Sequence, residues 1–286
     1  MKFKFCTLTL ILTSSAAIAD EYQSFTDANY RLSDYGIAES NDYLISSQYY
    51  FGSLNTLGPR KEFSYILPVS NVYGSYYRSK RKYDSGFSGY NSTDESFSVG
   101  GEYFARQLKL FGGVSDSNSR SYHAGIGYLF TSNFLAEVEV DKQEWDVEYE
   151  SSIIEYDETT TWLRGKYNHQ ISDTDYIGFS AQVNDDFDSR SISSKYFTAL
   201  SSGRYLTAGL SLIDRDRVDL YWGGEVEFFF NQDTSIGARY DEFDNFELNA
   251  THFFNRNVAA SFSYGSSTES LLDNLDIFSL GVTVQL

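Results

Sequence analysis

The sequence predicts an all-β fold, a transmembrane antiparallel up-and-down β-barrel of about sixteen strands. Three observations carry that expectation. First, apolar and polar residues alternate in runs of about ten: Ile177, Phe179, Ala181 and Val183 interleave with Gly178, Ser180, Gln182 and Asn184, and no segment sustains the period of a helix. Second, the breaks between runs are of two kinds, short self-similar turns and longer charged loops, as on the two rims of a barrel in a bilayer. Third, Phe278, Leu280, Val282, Val284 and Leu286 hold every second position up to the last residue, where a final strand closes on the first.

From the N-terminus, Lys2 and Lys4 precede an apolar stretch through Leu12, and Ala17-Ile18-Ala19 ends it with small residues at the two positions a signal peptidase inspects. Residues 1–19 are therefore expected to be a cleaved export signal, and residues 20–286 a single barrel domain. The one cysteine, Cys6, falls in the removed part, so the mature chain must close its fold without disulfides. Strands are expected near 22–32, 43–51, 71–79, 95–105, 107–116, 120–130, 134–148 and 154–169. The others are expected near 175–187, 191–200, 204–214, 217–230, 234–243, 245–254, 258–268 and 275–286.

Tight turns are expected at 130–133, 171–175, 230–234 and 254–257, each rich in Asn, Asp, Ser and Thr. Tyr128, Phe130, Tyr176, Phe230 and Phe254 flank these turns and are expected to form an interfacial girdle. Longer loops are expected at Lys80 to Glu95, Glu148 to Asp157 and Thr268 to Asp276. Both prolines, Pro59 and Pro68, lie between Gly52 and Ser70, where alternation is most interrupted. Proline cannot donate to a ladder, so this segment is expected outside the wall, folded into or across the barrel mouth. The connection after the fifth strand, Asp116 to Arg120, is too short to serve that purpose.

Composition excludes several functions. Aromatic residues make up 17% of the chain, too many large rings to leave unpacked, so disorder is excluded. The net charge of −18 repels phosphate, so nucleic acid is not expected as a partner. No apolar run reaches about 18 residues, so the chain does not cross a membrane as helices. His123, His169 and His252 lack a second histidine at ligand spacing and read as interfacial or lumen-facing side chains. No catalytic motif or cofactor-binding loop is present, so no enzyme activity, cofactor or metal is expected.

Turning the apolar parity to lipid directs the opposite face inward. Glu102, Lys109, Glu137, Glu139, Asp141, Arg164, Lys166, Lys195, Glu225, Glu227, Arg239, Asp241 and Glu247 then line the lumen. A charge facing lipid at mid-depth costs about 2–4 kcal/mol, which forces the inward placement. A symmetric hairpin about Ser151–Ser152 would set Glu137 opposite Lys166 and Glu139 opposite Arg164. Such pairs serve either as a ladder stiffening the wall or as a charged filter.

The run Phe278, Leu280, Val282, Val284 and Leu286 resembles the C-terminal assembly signal of Gram-negative outer-membrane proteins, although Leu286 stands where an aromatic residue is usual. Tyr50-Phe51, Gly58-Pro59, Glu62-Phe63, Ile66-Leu67, Ser70, Val72 and Tyr76 resemble a stretch near the N-terminus of functionally uncharacterised porins. Arg60, Lys61 and Ser64 replace small residues usual there. These resemblances imply a Gram-negative outer-membrane location, with the barrel-assembly machinery as a partner during biogenesis and lipid and lipopolysaccharide as surroundings. The expected function is a porin-like channel for passive diffusion of small hydrophilic solutes, with a mild preference for cations. The alternative is a structural or surface-interaction barrel with a blocked lumen; a barrel hydrolase is the remote one.

Overall fold

The computed structural model describes residues 21–36, 38–83, 91–149, 152–216, 218–267 and 275–286. The expected signal peptide lies outside the described residues. Period-two alternation becomes sixteen strands. The first eight are β1 (Glu21–Asp34), β2 (Ala38–Asn55), β3 (Asn71–Tyr83), β4 (Asn91–Ala105), β5 (Leu108–Asp116), β6 (Ser119–Thr131), β7 (Phe134–Tyr149) and β8 (Ser152–Gln170). The second eight are β9 (Tyr176–Asn184), β10 (Ser189–Ala199), β11 (Tyr205–Arg215), β12 (Val218–Phe229), β13 (Thr234–Asp241), β14 (Asn245–Phe253), β15 (Val258–Ser267) and β16 (Leu275–Gln285). A 3₁₀ turn, Ser201–Gly203, joins β10 to β11.

Every strand pairs antiparallel with its chain neighbours, and β1 pairs with β16, so the sheet has no edge. The alternating C-terminal residues make that closure: Phe278, Leu280, Val282 and Val284 stand opposite Leu32, Tyr30, Ala28 and Thr26. Beyond the last paired position the backbones of Leu286 and Ser24 exchange hydrogen bonds of 2.8 and 2.9 Å. Apolar side chains of one parity, among them Val99, Ile126, Leu163, Leu210, Leu248 and Leu280, remain exposed around the outside. In water such a band would be a liability; in a bilayer it is the lipid-facing surface.

The start of β1, the end of β16 and the β2–β3 connection lie on one rim, the turn rim. The strand count agrees with expectation, but two features differ. β2 begins at Ala38 and ends at Asn55, so Gly52 to Asn55 belong to the wall and only 56–70 leave it. The expected contrast between short turns and long loops does not hold at Glu148 to Asp157, where β7 and β8 continue to Tyr149 and from Ser152. Lys80 to Tyr83 and Asn91 to Glu95 are likewise strand, as are Leu275 and Asp276, while the rest of those two expected loops, 84–90 and 268–274, lies outside the described residues. The physical reason is cross-strand pairing of polar side chains. Across the hairpin Lys142 reaches Asp157 at 3.7 Å, besides Glu144 of its own strand at 2.7 Å, and Trp145 stacks on Tyr156 with centroids 5.9 Å apart. Charged residues read as loop are thus the ladder of a hairpin of 16- and 19-residue strands rising above its neighbours.

Candidate functional site

The register shows which strand face each charge occupies. Lys195 stands opposite Gly178 and Gly209, Gly209 opposite Glu225, Glu225 opposite Arg239, and Arg239 opposite Glu247. In the other direction Gln182 stands opposite Arg164, Arg164 opposite Glu137, Glu137 opposite Gly127, and Gly127 opposite Lys109. Directly opposed residues share a face, and so do residues two apart on a strand. All thirteen predicted residues therefore lie on one face of the sheet. That face is the inner one, because Lys195 and Glu227 pair with Glu62 and Lys61 of the 56–70 segment, which bridges opposite walls.

The inner charges form local groups. Lys109 is held between Glu102 and Glu137, with both N–O distances at 2.7 Å, and its ammonium sits 4.8 Å from the Phe111 ring centroid. Glu137 is only 5% exposed, so its charge depends on that lysine. The Arg164 guanidinium donates to both carboxylate oxygens of Glu139. Asp141 accepts a hydrogen bond from Ser121 at 3.2 Å, and Asp241 accepts from Tyr221 at 2.9 Å. Among the described residues Lys166, Glu225, Arg239 and Glu247 have no ion pair within 4.0 Å.

The expected hairpin register is corrected by two residues. Tyr149 stands opposite Ser152, so Glu137 faces Arg164 and Leu135 faces Lys166. Arg164 nevertheless reaches diagonally to Glu139, giving one expected pair, while Glu137 turns to Lys109 instead of Lys166.

The segment 56–70 crosses the turn-rim mouth. Thr56 bridges to Phe63, and the Glu62 N–H donates to the Pro59 carbonyl at 3.1 Å, so the segment doubles back as a tight turn. Gly58, at φ 128°, takes a backbone conformation that favours glycine, and an added Cβ would overlap the Tyr205 ring. Phe63 packs edge-on against Tyr22 and Phe25 of β1. Tyr65 meets Tyr176 of β9, eight strands away and so on the opposite wall.

Ion pairs anchor the turn: Arg60 to Asp233, Lys61 to Glu227, and Lys195 to Glu62 at 2.8 Å. Ile66 joins Leu129 and Leu135 in a small apolar cluster. Burial pushes the Glu62 carboxyl above its usual range, with Lys195 pulling against that rise.

Tyr176 is thereby corrected. It is 2% exposed and faces inward, stacking on Phe197, which stacks on Tyr205, because the crossing segment needs an aromatic cradle there. Tyr128, Phe130, Phe230 and Phe254 do face outward near the turn rim, as a girdle requires. His123 accepts or donates one bond to Tyr73 at 3.1 Å inside, and His252 bonds Thr234 at 2.9 Å on the outside. Arg60, Lys61, Glu62 and Asp233 were absent from the predicted lining. The sequence signal that could have found three of them is Arg60-Lys61-Glu62, charges set beside a proline in the one segment barred from the wall.

A closed sixteen-strand barrel with an apolar exterior and a charged interior is a pore-forming membrane barrel. The chain belongs to a bacterial porin family: the family described as "Putative general bacterial porin" matches residues 1–286. It is an outer-membrane porin channel. Among solved structures it is similar to the Acinetobacter baumannii outer membrane protein Omp33, with 13% identity and a TM-score of 0.55 over 94% of this chain and 100% of that one. It is also similar to Pseudomonas aeruginosa OccK7 (OpdD), with 10% identity and a TM-score of 0.51 over 93% of this chain and 98% of that one. At such identities these likenesses concern the fold alone. No curated protein matches the chain in sequence.

Proposed function

We propose that the barrel is a passive diffusion channel for small hydrophilic solutes, mildly cation-preferring and narrowed at the turn rim by the 56–70 segment. The observation that carries this reading is the common inner face of thirteen ionisable residues. A lumen lined this way needs water to solvate the charges that lack partners, and sixteen strands enclose more space than side chains fill. The crossing segment then sets the size limit, while the wall charges set ion preference. Liposome swelling tests the reading. Reconstituted barrels should admit small neutral sugars at rates that fall steeply with sugar size, and no swelling with the smallest sugars would reject passive diffusion.

The second reading, a structural barrel with a blocked lumen, draws support from the same segment. Three ion pairs and an aromatic cradle anchor it across the mouth. Under that reading the intact barrel passes no solute at all.

A further inference from the structure

We propose that the inner wall over β8–β10 holds a recognition subsite for the carboxylate of small monoanionic solutes, formed by Lys166, Arg164 and Gln182. The inference rests on the diffusion-channel reading and names a class of solute for it.

The inner face of these strands is unusual in a chain of net charge −18. From Trp162 to Asn168, Gly178 to Asn184 and Ser191 to Lys195, its inward positions carry cations, amides and hydroxyls but no carboxylate. Two adjoining cavities of about 410 and 260 Å³ open onto it, and both are lined by Arg164, Lys166 and Gln182; the larger also reaches Glu102, Glu137 and Glu139, which Lys109 and Arg164 pair, and the lining of the smaller holds no carboxylate.

The three side chains have unspent donors. Among the described residues Lys166 has neither an ion pair nor a hydrogen bond, and Gln182 has no side-chain partner. Arg164 has both terminal nitrogens on Glu139, yet its buried Nε has no acceptor. Lys195, the third cation of the strip, is already occupied by Glu62. An ammonium and an amide NH₂ on adjacent strands match the oxygens of a carboxylate, with the Arg164 guanidinium, paired to Glu139, beside them. Arg164 stands directly opposite Gln182, and Lys166 directly opposite Ser180.

Location gives the subsite consequence. Tyr65 of the crossing segment lies over Gly178, two residues from Ser180 on the same strand face, so the subsite borders the narrowed mouth. A solute held there waits beside the constriction. The surrounding acidic lumen repels each further negative charge, which favours a single carboxylate over a polyanion.

The test compares gluconate with glucose, its neutral counterpart of similar size, as blockers of ion current through the full-length barrel. Gluconate should reduce the current saturably, with a half-effect concentration raised about tenfold in K166Q, raised in the same direction in Q182L, and kept in K166R. Equal block by glucose, or unchanged gluconate block in K166Q and Q182L, would overturn the subsite. Should the wild-type barrel conduct nothing, the channel reading fails by itself. Calorimetric binding of gluconate to the detergent-solubilised wild-type and K166Q barrels then decides the subsite on the same terms.

Discussion

Lys109 has the most consequential single charge in the wall. It neutralises Glu102 and Glu137 at once, and Glu137 is too buried to be solvated instead. Replacing one partner of a buried pair costs about 3–5 kcal/mol, because the other charge is left uncompensated. K109M should therefore lower the unfolding midpoint of the barrel in urea titrations, whereas K109M combined with E137Q should recover much of the loss. Equal destabilisation in the single and double variants would argue against the pairing. Glu62 acts in the opposite sense. Burial, only partly offset by Lys195, raises its folded-state pKa above the ordinary carboxylate value. Between those two values the folded state binds more protons than the unfolded one, so stability falls as pH rises through that window. The stability difference between wild type and E62Q should change across that window and level off above it; a pH-independent difference would contradict the burial. At this scale the sequence was legible where parity decides. All thirteen inward charges follow from alternation, but Lys109's choice of Glu137 depends on a cross-strand register that no turn residue revealed.

Among the elements, the crossing segment differs most from its surroundings. Two prolines mark its exclusion from the ladder, and its position on the turn rim was visible from strand counting. Its partners were not. Tyr65, Phe63 and Lys61 meet β9, β1 and β12, contacts separated by large stretches of chain, and only closure of the barrel brings those strands within reach. The same limit explains Tyr176, whose place beside a turn suggested a girdle until a ring from the crossing segment covered it. Gly178 belongs to that arrangement, since a Cβ there would overlap the Tyr65 ring. The hairpin of β7 and β8 shows the reverse error, charge taken for loop where cross-strand pairs sustain strand. Deleting Leu57 to Ser64 removes the ion-paired turn and leaves the wall strands intact. The deletion barrel should keep the heat-modifiable migration of a folded barrel and pass larger sugars than wild type. An unchanged sugar limit in a folded deletion variant would remove the segment from the permeation path.

For the whole molecule, closure and charge are coupled. The ring of strands excludes lipid from a face that carries eight acidic and five basic predicted residues. Pairing leaves that excess of three acids in place but neutralises most of the charge around it, since Lys109 serves two acids and Arg164 one. Salt screens what is left beyond about 8–10 Å. Reversal potentials across a KCl gradient should therefore show a modest cation preference that strengthens at low ionic strength; a clear anion preference would mean that the unpaired acids do not face the ion path. Closure itself was the most legible property, because alternation up to Leu286 needs a first strand to receive it. The central claim is an open, narrowed channel, and single-channel conductance in planar bilayers tests it most directly. The wild-type barrel should give discrete conducting steps, and the Leu57–Ser64 deletion should give larger ones. A correctly folded wild-type barrel that conducts no ions contradicts the account.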